Sequence, residues 1–197
     1  MRRRRHDTLS GDLIPADAVR AISMSPPMVE AIFRDAKTQT RRAIHPQPLH
    51  WDTVLRKPYA LTETPRIFSP LTDHSEDRVC PYGVGDRLWV REAWRQGKDA
   101  LGTVVYKSSF DDKGPWCNPM TMRRWAARLW LQVTSIRCEH LREITVEECI
   151  AEGLKTSDGN LRDQYQKLWD RLNRISGASW DTNPWVWVIS FRRTESI

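Results

Sequence analysis

At 197 residues and a formal charge of +6, the chain is long enough to bury one sizeable core, and no compositional break divides it. Arg2 to Arg5 carry four of those charges, which leaves about +2 for the rest, so affinity for nucleic acid has to come from local clusters of cations. No apolar run approaches the roughly 18 residues of a membrane span, and the arginine-rich start lacks the apolar stretch of a signal peptide, which predicts a soluble, cytoplasmic protein with no membrane partner.

Residues 1–20 are charged and without periodicity and read as a loosely ordered basic arm, with residues 21–197 as a single domain. Ser25-Pro26-Pro27 starts a helix, serine at the N-cap and proline where a missing N–H does no harm, with Val29, Ile32 and Phe33 as its apolar stripe and its end near Asp35. Directly after it, Lys37-Thr38-Gln39-Thr40-Arg41-Arg42 packs an amine, two hydroxyls and two guanidiniums into six residues. Lysine and arginine are rarely buried unless paired, so this run lines a polar cleft or an anion-facing surface, or else is a solvated basic turn.

Residues 43–82 hold six of the twelve prolines and read as a long surface insertion. From Asp86 the pattern turns to strands: Leu88 and Val90 alternating with Trp89 and Arg91, then Thr103 to Lys107, then Leu129, Leu131 and Val133. Thr145 with Glu148 three residues on is a capping box, and Gly153 ends that short helix. A second helix spans about Leu161 to Ile175, with Leu161, Tyr165, Leu168, Trp169, Leu172 and Ile175 on one face. Trp185, Trp187, Ile189 and Phe191 alternate with Val186 and Val188, which predicts a central strand covered on both faces.

The four cysteines are separated by 37, 21 and 11 residues, and the histidines, among them His45, His50, His74 and His140, have no ligand spacing. Reduced thiols, no metal and no cofactor are expected. Lys37 and Thr40 are the residues able to act as base and nucleophile, because a threonine hydroxyl needs a neighbouring base and a lysine serves as one only when it is neutral. Glu92, opposite Arg91 in alternation, is expected in a buried ion pair with another arginine.

The family signature Gly-x-Lys-x-x-Thr-x-Arg is met by Lys37, Thr40 and Arg42, with Asp35 in the place of the glycine. The blocks Cys80-Pro81-Tyr82-Gly83, Gly85-Asp86-Arg87-Leu88-Trp89-Val90-Arg91-Glu92, Met122-x-Arg124-Trp125-Ala126-x-Arg128, Ala151-Glu152-Gly153 and Asn183-Pro184-Trp185-Val186-Trp187 follow in order. In these the chain resembles the ASCH family, a branch of the PUA-like barrels, and in particular its phage and prophage members. The resemblance implies an α+β fold, a PUA-like β-barrel flanked by helices, with the proline-rich segment as an insertion.

It also implies a nucleic-acid cleft. Arg41, Arg42, Arg91, Arg95, Arg123, Arg124 and Arg128, with Lys37, are the expected cations, and Trp89, Trp94, Trp116 and Trp125 the expected stacking platforms, for RNA or a modified or extruded base. Small bacterial ASCH amidohydrolases that release acetate from N4-acetylcytidine use a lysine, a threonine and a glutamate. Lys37 and Thr40 match the first two by motif, and Glu152 the third by its place near the end of the short helix. The expected function is phage-derived nucleic-acid binding. The alternatives are deacylation of such a nucleoside, with Thr40 as nucleophile and Lys37 as base, and a ribonuclease in which Lys37 and Arg42 stabilise a phosphorane. Asp35 is expected to lack glycine's freedom at positive φ and to place a carboxylate beside Lys37.

Overall fold

The computed structural model describes residues 18–47, 66–67, 78–97, 102–109, 114–156 and 159–195. Most of the basic arm and most of the 43–82 insertion lie outside them. In chain order the elements are β1 (Val19–Ser23), α1 (Pro26–Phe33), β2 (Gln39–Ala43), β3 (Arg66–Ile67), β4 (Arg78–Val79), β5 (Arg87–Arg91), β6 (Trp94–Gln96), β7 (Val104–Tyr106), β8 (Trp130–His140), α2 (Val146–Ala151), α3 (Leu161–Asn173) and β9 (Trp185–Thr194). The fold is mixed α and β. Its main sheet has five strands in the order β1-β5-β8-β9-β2, parallel between β1 and β5 and antiparallel elsewhere, while β3–β4 and β6–β7 form separate pairs.

Where the resemblance implied a closed barrel, no ladder joins the outer strands β1 and β2 among the described residues. Pro26 and Pro27 follow β1 almost at once and have no N–H with which to extend its edge. Instead the Arg42 guanidinium, on β2, donates to the Ser23 carbonyl at 2.6 Å. The first strand itself begins inside the stretch read as a loose arm. Only Ile22 of its five residues is buried, so alternation had no run in which to show. Asp86, fully buried, holds β1 down by accepting from the Ala18 amide at 3.1 Å and from Arg20 Nε at 2.9 Å.

Strand β9 organises the core as its alternation predicts. Trp185, Trp187, Ile189 and Phe191 join Ile22, Val29, Ile32, Leu88, Val90, Leu131 and Val133 on one face of the sheet. Val186 and Val188, on the other, meet Leu141, Ile144, Cys149, Leu161, Tyr165, Trp169 and Trp180. Each of these two valines has no solvent exposure, worth about 1.5 kcal/mol of apolar burial. Strand β8 runs well past the predicted Val133, through an irregularity before Ser135, to His140. Helix α3 ends at Asn173, short of the predicted Ile175, which is 97% exposed, and Leu172 is also exposed. Ser25 precedes α1 in extended conformation, but its hydroxyl makes no capping bond. Among the described residues no helix is long and apolar enough to cross a membrane.

Helix α2 begins with the predicted box: Thr145 Oγ1 accepts from the Glu148 amide at 3.3 Å and Glu148 Oε2 accepts from the Thr145 amide at 2.9 Å. Gly153 follows it at φ +94, and a Cβ there would sit 2.9 Å from Ala31 Cβ and 3.1 Å from Lys37 Cβ. This glycine therefore lets α1, the turn after it and the end of α2 meet. Gly177 also has positive φ, +72, but open space around it. We expect Gly153→Ala to cost about 3 kcal/mol, from left-handed strain plus overpacking, and Gly177→Ala about 1 kcal/mol, from strain alone. Urea unfolding measures both, and equal losses would show that close approach at Gly153 contributes nothing.

Candidate functional site

The turn between α1 and β2 sets the site. Asp35, at φ +54, reverses the chain in the left-handed region that glycine adopts most readily. The amides of Ala36 and Lys37 then donate to the Ala31 carbonyl, and the Thr38 amide to the Ala151 carbonyl at 2.9 Å, so that Lys37 lies antiparallel to Glu152. The Asp35 carboxylate points outward, with Oδ2 3.4 Å from Arg193 Nη2, and the carboxylate beside Lys37 is that of Glu152. The left-handed turn aims the aspartate side chain away from the amine.

Lys37 is 1% exposed, and its Nζ donates to Glu152 Oε2 at 2.7 Å, to the Gln39 carbonyl at 2.7 Å and to the Glu152 carbonyl at 3.0 Å. Three acceptors match the three hydrogens of an ammonium. Burial lowers the Lys37 pKa from its ordinary value, against the opposing pull of Glu152.

Arg41 points to the other side of β2, where its register opposite Val188 places it under α2 and α3. Its guanidinium reaches Glu139 Oε1 at 2.6 Å, Glu148 Oε2 at 2.8 Å and Glu152 Oε1 at 3.4 Å. Arg137 joins the same carboxylates, with Nε 2.9 Å from Glu139 Oε2 and Nη2 donating to Glu148. The Tyr165 hydroxyl lies 3.5 Å from Glu152 Oε1, and burial, reinforced by Glu152, pushes its pKa well above the ordinary value, which keeps it a neutral donor. Lys37, Arg41 and Arg137 thus balance Glu139, Glu148 and Glu152. Glu152 is held at both oxygens.

A cavity of about 320 Å³ opens in front of this network, lined by Thr40, Arg41, Arg42 and Glu152 together with Met24, Met28, Tyr165, Leu168 and Trp169. Thr40 is 2% exposed, yet among the described residues its hydroxyl has no hydrogen-bond partner. Mixed linings of this size suit a small flat ligand with a few polar edges.

The other expected cations and rings are dispersed. Arg91 lies over Trp89 at 4.7 Å, and Trp89 itself is buried in the sheet. Arg95 lies over half-buried Trp116 at 4.5 Å, and Trp94 is half-buried on β6. Arg128 grips buried Glu92 through two bonds, at 2.9 and 3.1 Å, between the rings of Phe33 and Tyr106; this is the arginine pair expected for Glu92. Arg123, Arg124 and Trp125 are exposed, Trp125 at 70%, on the turn segment that starts at Pro119, itself part of the cavity wall. Glu139, Arg137 and Tyr165 were not singled out from the sequence as site residues. For Arg137 and Glu139 the signal was a pair of charges in the second half of β8, which no strand pattern explains, whereas Tyr165 reads as part of the apolar face of α3. Among the described residues no group of three or more His, Cys, Asp or Glu side chains is placed to hold a metal ion.

No family model matches the chain, and no curated protein matches it. Among solved structures the chain is similar to the ASCH domain from Lactobacillus crispatus JV V101, with a TM-score of 0.46 and 10% identity over 91% of this chain and 81% of that one. Likeness at that level leaves family and function to the chain's own residues.

Removing Lys37 strands the Glu152 carboxylate, so we expect Lys37→Met to lose about 3–5 kcal/mol at neutral pH, with partial recovery in Lys37→Met/Glu152→Gln. Because the folded-state pKa of Lys37 lies below 10.5, the unfolded chain binds the extra proton in the window beneath that value. This lysine's contribution to stability therefore rises with pH through the window, and the gap between the parent and Lys37→Met should widen towards pH 10.5. Denaturant titrations at stepped pH measure it, and a narrowing gap would reverse the sign.

Proposed function

We propose that the protein is an ASCH-type, PUA-like nucleic-acid-binding protein of the phage and prophage kind, whose Thr40 cavity accepts one base of RNA, or an extruded or modified base. The observation that carries this reading is the unpartnered hydroxyl of Thr40, an otherwise buried residue, in a cavity it shares with the fixed Glu152 carboxylate and an apolar back wall. A base edge offers the donors and acceptors that such a pair lacks, and its faces suit Met28, Tyr165 and Leu168. Exposed Trp125, directly preceded by Arg123 and Arg124, supplies a platform for a neighbouring base at the end of the segment that Pro119 begins. Support for the family comes from the ordered sequence blocks and from the positive φ at Asp35, where the signature has glycine.

A second reading, deacylation of an N4-acylated cytosine, is favoured by the lowered Lys37 pKa and by the free Thr40 hydroxyl. Thr40 Oγ1 would add to the acyl carbon as its proton passes to a neutral Lys37. The C–N bond would then break, with the base nitrogen taking a proton, and water would release the acid from the threonine ester. In the observed geometry Lys37 donates to three acceptors and has no lone pair to offer, so binding is the reading better supported. The same engagement, with Arg42 on the Ser23 carbonyl, gives phosphoryl chemistry no comparable support.

Anisotropy titration of labelled single-stranded RNA of about 12 nucleotides tests the binding. We expect Trp125→Ala to weaken it about 10-fold or more, as loss of one base stack does, and Thr40→Val by about 5-fold, as loss of one hydrogen bond does. Unchanged affinity in both variants would sink the proposal. Conversion of N4-acetylcytidine to cytidine by the parent, abolished in Thr40→Ala and Lys37→Ala, would instead establish the hydrolase.

A further inference from the structure

The Thr40 cavity does not end at Glu152. A second hollow of about 340 Å³ shares Ser25, Met28, Glu152 and Leu168 with it and continues between α1 and α3. Its floor is Pro27, Ala31, Gly153 and Leu154, and its rim on α3 carries Lys167 and Arg171. These two cations are exposed, one helical turn apart, and among the described residues neither side chain makes an ion pair or a hydrogen bond. The carboxylate in the hollow, Glu152, is already neutralised by Lys37 and Arg41. The hollow therefore presents two unopposed positive charges over an apolar floor, about 6 Å apart along the helix axis.

Several cations expected to meet phosphate are engaged elsewhere: Arg41 with three carboxylates, Arg128 with Glu92, and Arg42 with a backbone carbonyl. We propose that the α1–α3 hollow carries the sugar-phosphate chain of a single-stranded nucleic acid, Lys167 and Arg171 meeting neighbouring phosphates while one base enters the Thr40 cavity. The ligand is thus a nucleotide within a strand, not a free nucleoside. This rests on the reading of the Thr40 cavity as a base site.

The test compares the parent, Lys167→Ala/Arg171→Ala and Arg174→Ala in salt titrations of labelled single-stranded RNA and DNA of about 12 nucleotides. Arg174 is also exposed, just beyond the end of α3, and lines neither hollow. Loss of two phosphate contacts should reduce the slope of log affinity against log salt by about 1.4 and weaken binding on the order of 20-fold near 0.1 M salt. Arg174→Ala should leave the slope unchanged, and the tighter of the two strands identifies the partner. A double variant that keeps the parent slope, or an Arg174→Ala loss of the same size per charge, overturns the inference and leaves the base site standing if Thr40→Val and Trp125→Ala still weaken binding. Absence of binding to both strands by the parent removes the base site and this inference together.

Discussion

The buried ion pair between Lys37 and Glu152 is the constraint on which the site depends, because it joins positions 115 residues apart with both side chains almost wholly removed from water. Desolvating two charges costs several kcal/mol per ion, and their mutual attraction offsets this only when the remaining hydrogens and lone pairs are satisfied. Here they are: the ammonium has two further backbone acceptors, and the second carboxylate oxygen faces Arg41 and Tyr165. Such a pair contributes little net stability, but it tolerates few alternative arrangements of the α1–β2 turn against the end of α2. Asp35 and Gly153, both at positive φ on either side of it, show the backbone giving way to that requirement.

Around this pair the charges form a layer between the sheet and the helices. Arg41, opposite Val188, occupies a position where an apolar side chain would otherwise complete the outer core, and it is admitted there only because Glu139, Glu148 and Glu152 converge on it. The basic run that first suggested an anion-binding surface is therefore divided by strand alternation. Arg41 is held as scaffold by its carboxylates and only borders the cavity from the helix side, while Thr40 and Arg42 line it from the face shared with Ile189 and Trp187.

That division explains what the sequence could reveal. Strand β9, the capping box at Thr145 and the pairing of Glu92 with an arginine were legible because each is a local pattern or a single strong preference: alternation, a three-residue spacing, a carboxylate with nowhere else to go; that the arginine is Arg128, expected in the cleft, was not. The second half of β8 was not, since Arg137 and Glu139 look solvated until partners from β2 and α2 are known. Strand β1 was hidden by having one buried residue, and the apolar stripe of α3 was overextended because Ile175 keeps the helical period after the helix has ended. Lys37 meets Glu152, and Thr40 shares a cavity with Glu152, from positions far apart in the chain, so nothing local in the sequence links them. Lys167 and Arg171 gave no signal at all, because two exposed cations on a helix are ordinary until a hollow lies beneath them.

The geometry also bears on why binding and turnover are hard to separate in a site of this kind. A lysine that orders the turn must keep its hydrogens on three acceptors, whereas a lysine that activates Thr40 must give one up and turn a lone pair outward. Burial lowers the cost of the second state and Glu152 raises it, so the same carboxylate that builds the cavity holds the amine in its structural role. A ligand that brought a hydrogen-bond donor to Glu152 Oε1 would weaken that hold, since the contacts from Arg41 and Tyr165 to this oxygen are long, at 3.4 and 3.5 Å. Occupation of the cavity and the protonation state of Lys37 are in this way linked through one carboxylate, and any chemistry at Thr40 would depend on the ligand's own polar edge to release it.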